Sequence, residues 1–223
     1  MDYYDLHVRS AATTGENTSG EMAAMATRLG LKAIAMPGAT EKTGDAEIIS
    51  CHMIETQNIQ ELAEEARKYR DNCEILMVSG GSYEINRAAC ENSLIDVLCH
   101  PGRGRRDSGL DHVAIKAAAD NNVAIEINLR EILESYRKNR VRVLEGIKRN
   151  VFLCRKFNTS IVITSGAHTK WGMRAGRELA AVGVLAGMEL ADAIDSVSMV
   201  PQKILETNRA KLSGKKWEGM EIE

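Results

Sequence analysis

Aromatic side chains make up only 4% of this chain of 223 residues, with two Phe, two Trp and five Tyr. A core must therefore be built from Ala, Val, Ile, Leu and Met, and RNA recognition by nucleobases stacked on aromatic rings is disfavoured. Proline is rarer still, at three residues, beside 44% hydrophobic and 27% charged residues; that balance excludes a proline-rich disordered chain and a collagen-like repeat. The five cysteines, Cys51, Cys73, Cys90, Cys99 and Cys154, are odd in number and never spaced Cys-x-x-Cys. Neither a disulfide framework nor a zinc ribbon is encoded, and a reducing, intracellular setting is expected. No run of about 18 apolar residues is present, so no membrane-spanning helix is expected. Asp2 and Asp5 stand where a signal peptide needs a cationic region and then an apolar one, so the reading is a cytoplasmic protein with no membrane partner.

Glycine-rich nucleotide signatures are also missing. The first strand-like run is followed by Arg9-Ser10-Ala11-Ala12, and Gly102-Arg103-Gly104-Arg105-Arg106-Asp107 has Asp107 where the last glycine of a dinucleotide fingerprint belongs. Residues 38–44 lack the Lys-Ser/Thr ending of a P-loop. Nucleotide binding by either device is not encoded.

Net charge is nearly absent, at −2, yet its distribution is uneven. Residues 1–75 carry 7 basic and 13 acidic side chains, whereas residues 101–180 carry 16 basic and 8 acidic. A chain neutral overall with a positive middle can present one basic face, the footprint of a polyanion site. The alternative is a solvated helix surface. With the basic face turned to a polyanion, the acidic N-terminal third would face protein partners or solvent.

What the sequence does hold is alternation. Apolar, β-branched runs at 3–8, 32–36, 47–54, 74–78, 95–99, 123–127 and 160–164 predict strands, and residues 191–200 leave room for an eighth or for none. Between them lie helical patterns. Thr18 with Glu21 reads as a capping box that ends at Gly30, Asn58 with Glu61 as a second, and Ser108 with Asp111 as a third. Leu144, Ile147, Val151 and Cys154 form an apolar stripe on a helix whose other faces carry Arg137, Lys138, Arg140, Arg142, Lys148 and Arg149. The length fits one domain, taken as 1–212 with a flexible tail over 213–223. The pattern predicts an α/β fold with a mostly parallel sheet, and the missing glycine fingerprint favours a TIM-barrel-like closed form over a doubly wound one.

In such a barrel, functional residues sit at the C-terminal ends of strands. Asp5, His7, His52, Glu55, His100, Glu126, Asn128 and His168 fall at or near those ends. Imidazoles and carboxylates converging on one mouth suit a hydrolytic metal site; the other reading is a set of hydrogen-bonded rim residues that order the loops.

The elements Asp5-Leu6-His7, His100-Pro101, Glu126-Ile127-Asn128 and Ser165-Gly166-Ala167-His168 resemble the polymerase and histidinol phosphatase (PHP) superfamily. That superfamily uses a distorted barrel and a multinuclear metal centre. Its first motif is His-x-His, where this chain has Arg9 as the second member, and its last has an aspartate where this chain has Gly166. Within it, the chain resembles the archaeal RNase P protein component 3 family, the counterpart of the eukaryotic thirty-kilodalton subunit. The segments that carry this resemblance are Tyr4-Asp5-Leu6-His7-Val8, Ile95-Asp96-Val97-Leu98-Cys99-His100-Pro101-Gly102, Glu126-Ile127-Asn128-Leu129 and, most specifically, Thr164-Ser165-Gly166-Ala167-His168-Thr169-Lys170-Trp171-Gly172-Met173-Arg174-Ala175-Gly176-Arg177.

The resemblance implies a barrel of the PHP kind and a protein subunit of the ribonucleoprotein endonuclease that removes the 5′ leader of precursor tRNA. It implies that the RNA performs the chemistry with Mg²⁺, that the protein holds no tightly bound cofactor, metal or catalytic residue of its own, and that its partners are RNase P RNA, precursor tRNA, a small component 2 and other RNase P proteins. The basic middle then has a task, since arginines offered to phosphates lower an RNA's need for metal. The candidate RNA-binding residues are Arg103, Arg105 and Arg106 in a glycine-flanked loop, Arg137, Lys138, Arg140 and Arg142, and His168 with Lys170, Arg174 and Arg177, these last three at helical spacing. The rival expectation is a metal-dependent PHP-type phosphoesterase using His7, His100, Glu126 and His168.

Overall fold

Runs of aliphatic residues with no polar alternation are strands buried on both faces, and such strands assemble in parallel with helices outside. The computed structural model, which describes residues 1–38 and 45–214 together with the backbone of 216–217 and 220–221, has this arrangement. Seven strands, β1 (Tyr4–Asp5), β2 (Ala33–Pro37), β3 (Glu47–Ile54), β4 (Ile75–Ser79), β5 (Val97–Cys99), β6 (Ala124–Asn128) and β7 (Ile161–Thr164), pair in parallel in chain order. The helices are α1 (Ser19–Arg28), α2 (Ile59–Arg70), α3 (Tyr83–Cys90), α4 (His112–Asp120), α5 (Leu129–Glu134), α6 (Lys138–Phe157), α7 (Gly176–Leu185), α8 (Leu190–Asp195) and α9 (Met199–Leu212).

The sheet closes on itself as a TIM-barrel-like single domain. Val8 bridges Ala167, and the Arg9 N–H donates to the Ala167 carbonyl at 2.8 Å. Lower down, where β1 and β7 are farther apart, the Ser196 and Val197 carbonyls accept from Ile163 and Tyr4 at 3.2 and 2.9 Å. Residues 191–200 therefore add no named eighth strand, but two of their carbonyls fill the gap one would occupy.

Alternation along each strand separates the interior from the layer under the helices. Ala33, Ala35, Ile49, Met53, Ile75, Met77, Val97, Ala124 and Val162 belong to the barrel interior, whereas Ile54, Val78, Leu98, Ile125 and Ile163 join the cluster under the helices. The floor is closed by α9. Leu205 enters the interior cluster, and beside it the Asn208 amide donates to the Glu74 carbonyl and to Asp96, while Arg209 pairs with Glu47 and Glu74. With one end plugged, ligand access is left to the other.

Local signals held in most places. The Thr18–Glu21 capping box is present, and Gly30 takes a left-handed φ of 67° after α1. Asn58 caps α2, although Glu61 turns to the Thr56 hydroxyl rather than back to the cap. The third helix start is corrected: Asp111, not Ser108, caps α4 by accepting from Val113 and Ala114. Ser108 is buried and bonds the Leu110 carbonyl instead. Of the tail expected over 213–223, Lys216–Trp217 and Met220–Glu221 pair as a short antiparallel ladder; the other residues beyond 214 lie outside the described ones.

Candidate functional site

At the C-terminal end of the barrel the interior layer turns from aliphatic to polar. Cys99, Glu126, Asn128 and Thr164 follow in the same alternation as Val97, Ala124 and Val162, so the pleat aims them into the mouth. Glu126 is the hub. Its Oε1 accepts from the Thr164 hydroxyl at 2.6 Å and the Asn128 amide at 3.0 Å and lies 2.7 Å from His7 Nδ1; its Oε2 accepts from the His100 N–H at 3.1 Å. His100, held at a left-handed φ of 53°, turns its Nδ1 toward Glu131 on α5 at 2.8 Å.

Burial and neighbours set the charges. Burial alone would raise the Glu126 pKa, but His7, His100 and the donated hydrogen bonds hold it well below the usual carboxylate range. Burial depresses His7 despite Glu126, so at neutral pH its Nδ1–H is a donor to a fixed carboxylate. Burial also acts to lower His100, where Glu126 and Glu131 overcome it and raise its pKa. Burial lifts Asp5 to about 6, although its Oδ1 accepts from the Ser165 and His7 amides. Burial, then Arg130 and Arg9, bring His168 down to about 4, so it is neutral at pH 7.

Glu126, Asn128 and His100 line one side of a cleft of about 690 Å³. Arg9, Arg103, Arg105, Arg106, Arg130 and Arg142 all line it. Arg9 is nearly buried and pairs with Glu55 at 2.6 Å, leaving its Nε without a partner among the described residues. Arg105 grips Asp107 with two bonds of 2.6 and 2.8 Å; Arg130 pairs with Glu134 and touches His168.

The eleven expected RNA-binding residues are thus divided. Arg103, Arg105, Arg106, Arg142 and His168 share the cleft. Arg137 and Lys138 are exposed at the start of α6, and Arg140 reaches back to the Ile132, Leu133 and Ser135 carbonyls, closing the C-terminal end of α5. Lys170, Arg174 and Arg177 do not share a helix: Lys170 opens a 3-10 turn (Lys170–Gly172), Arg174 follows in the connection and Arg177 lies in α7. Lys170 pairs with Glu21, and Arg174 donates to the Trp171 and Met173 carbonyls. His52 is not at the mouth; it stacks on Tyr69 of α2 with ring centroids 3.6 Å apart. Sequence reasoning missed Arg9 and Arg130 as cleft cations. The available signal was their position, since both follow the C-terminal ends of strand runs.

The one group of potential metal donors found among the described residues is His7, Cys99 and Glu126, with atoms within 4.8 Å of one another. It does not fit the multinuclear centre of the PHP superfamily. Both Glu126 oxygens already accept hydrogen bonds, and burial raises the Cys99 thiol so far that it stays protonated. Arg9, where that motif has its second histidine, places a guanidinium among the groups that a cation would need to approach. At Gly166 (φ 61°) an added Cβ would meet Asn128 Oδ1 at 2.3 Å, so an aspartate there is excluded while Asn128 keeps its place.

Comparison with known proteins follows the same lines. The family model for RNase P subunit p30 matches residues 2–213. The chain is 34% identical over 230 residues to Ribonuclease P protein component 3 of Methanosarcina barkeri, covering 99% of this chain and 95% of that protein. It is 35% identical over 218 residues to the component 3 of Methanosarcina mazei, covering 93% and 90%. Among solved structures, a chain in a cryo-EM structure of archaeal ribonuclease P with mature tRNA superposes with a TM-score of 0.81 at 24% identity, over 98% of this chain and 97% of that one. At that identity the likeness establishes the fold.

Proposed function

The chain belongs to the RNase P subunit p30 family, and from that premise we propose that its arginine-lined mouth binds RNA while the catalytic chemistry resides elsewhere in the assembly. It is a protein subunit of ribonuclease P, the holoenzyme that cleaves the 5′ leader from precursor tRNA. In this reading the RNase P RNA carries out the cleavage with Mg²⁺, and the chain works in the cytoplasm with a small component 2 and the other RNase P proteins. No helix among the described residues is long and apolar enough to cross a membrane.

The observation that carries the proposal is the contrast within one cleft. His7 and His100 are locked to Glu126, whereas six arginines line the cleft, of which Arg103, Arg106 and Arg142 have no carboxylate partner among the described residues. A general base must have a lone pair available to take a proton, and a metal site needs open ligand positions. Arginines at the rim provide a different capability: planar, permanently charged forks that bind phosphate oxygens. Neutralising phosphates where an RNA folds against its own repulsion reduces the magnesium it requires.

Cleavage of precursor tRNA by the cognate RNA, with and without this chain and component 2, tests the reading. The expected result is stimulation at low Mg²⁺ that depends on the RNA, and no cleavage by the proteins alone. Turnover of precursor tRNA or of a simple phosphate ester by the purified chain would overturn it.

A further inference from the structure

Trp171 is 71% exposed, an unusual position for the side chain with the largest apolar surface. The backbone beneath it is nonetheless fixed. The Thr169 hydroxyl accepts from the Gly172 N–H at 3.2 Å, the Lys170 N–H donates to Asn17 Oδ1 at 3.0 Å, and Arg174 grips the Trp171 carbonyl at 2.9 Å. An added Cβ at Gly172 would meet the Ala167 Cβ at 3.3 Å, so the turn is seated against the element that closes the barrel. The ring is presented on a rigid base, and it covers no core.

Its neighbours in sequence are basic, although Lys170 is paired with Glu21. The Lys170 ammonium lies 5.6 Å from the ring centroid, and Arg174 and Arg177 follow in the chain. The other exposed aromatics among the described residues share this setting: Tyr136 has Arg137 5.2 Å from its ring, and Phe152 lies on the basic face of α6. A flat aromatic face within a positive field matches an unpaired base beside its own phosphate, since stacking and charge neutralisation then act on adjacent parts of one nucleotide.

We propose that Trp171 is a stacking platform for an unpaired nucleobase, with Arg174 and Arg177, which follow it in the chain and have no carboxylate partner among the described residues, as the cations for the flanking phosphates. The inference rests on the RNA-binding reading above and adds to it the class of RNA: a loop, bulge or single strand rather than a continuous duplex. It also reverses the expectation drawn from composition, because scarcity of aromatics does not decide where the few lie.

Trp171 and Trp217 are the only two tryptophans in the chain, so a Trp217→Phe background leaves Trp171 as the sole indole reporter. The probes are an oligoadenylate of about 12 nucleotides and an RNA duplex of the same length. Saturable quenching of Trp171 emission by the single strand, and little by the duplex, is expected. Trp171→Ala should weaken binding of the single strand roughly five- to a hundred-fold with an unchanged salt slope, and Trp171→Tyr should restore most of it. Absence of quenching, or an alanine variant that binds like the parent, would overturn the proposal. So would a Trp171→Ala protein that binds RNA normally but has lost affinity for component 2, which would assign the ring to a protein partner. An alanine variant that keeps both the parent's affinity and its steep salt dependence refutes only the stacking platform; binding with no salt dependence in the parent refutes the RNA-binding reading itself.

Discussion

Replacing Arg103, Arg105 and Arg106 together by alanine should flatten the salt dependence of RNA binding by an amount the structure sets. Arg105 is neutralised by its two bonds to Asp107, while Arg103 and Arg106 are exposed and have no carboxylate partner among the described residues. Two phosphate contacts, not three, are therefore expected to be lost. Each contact contributes about 0.7 to 0.9 to the slope of log affinity against log salt, so the slope should fall by about 1.4 to 1.8. Between about 50 and 200 mM salt, the advantage of the parent over the triple variant should then shrink by roughly ten-fold. Filter binding or fluorescence anisotropy with the cognate RNase P RNA at several salt concentrations reads the slope directly. Parallel lines for parent and variant would exclude this loop as a phosphate contact, whatever the difference in affinity at one salt concentration.

Two further outcomes follow from the buried mouth. Asp5 rises from an ordinary 3.8 to about 6 in the folded protein, chiefly through burial, so the native state binds its proton more tightly than the unfolded chain. The stability this confers is present below the unfolded value and is lost as pH rises through about 6. Asp5→Asn keeps an acceptor for the Ser165 and His7 amides without the buried charge. In urea titrations it should stabilise the protein by up to about 3 kcal/mol at pH 8 and change little near pH 4; a loss of stability at pH 8 would contradict the assignment. Gly166→Ala forces a Cβ against Asn128 at a left-handed φ of 61° and should cost about 1 to 3 kcal/mol. Adding Asn128→Ala should recover part of that loss, and strictly additive effects in the double-mutant cycle would argue against the clash.

The seven strands were legible because their runs are rich in apolar and β-branched residues, most of them buried on both faces, although in β3 Ser50 is exposed and Glu47 and His52 are half-buried. Helix starts were less secure. Ser108 and Asp111 both have capping side chains, but the Ser108 hydroxyl bonds the Leu110 carbonyl, and Gly109, at a φ of 78°, turns the chain between them where an added Cβ would strike the Pro101 carbonyl at 1.8 Å. That turn is not written in the helix-start pattern. The mouth showed the same limit. Asp5, His7, His100, Glu126, Asn128 and His168 were placed from strand ends alone, but His52 shares the outward parity of Ile54, opposite Cys51 and Met53, and stacks on Tyr69 of α2. Arg9 was noticed first as a missing ligand; that it is a cation in the cleft became evident only once Glu55 and the mouth were in place. Lys170, Arg174 and Arg177 keep helical spacing in sequence, yet the 3-10 turn and the connection after it break the helix that would have aligned them.

The central claim is that this chain supports an RNA catalyst by neutralising phosphate and performs no chemistry of its own. The most direct measurement is the Mg²⁺ concentration for half-maximal cleavage of precursor tRNA by the cognate RNA with component 2, compared between the parent chain and the Arg103, Arg105 and Arg106 triple variant. A higher magnesium requirement for the variant, with equal rates at saturating Mg²⁺, is the predicted result. Identical magnesium curves would contradict the claim, as would a variant whose rate stays depressed at every concentration while its fold is intact.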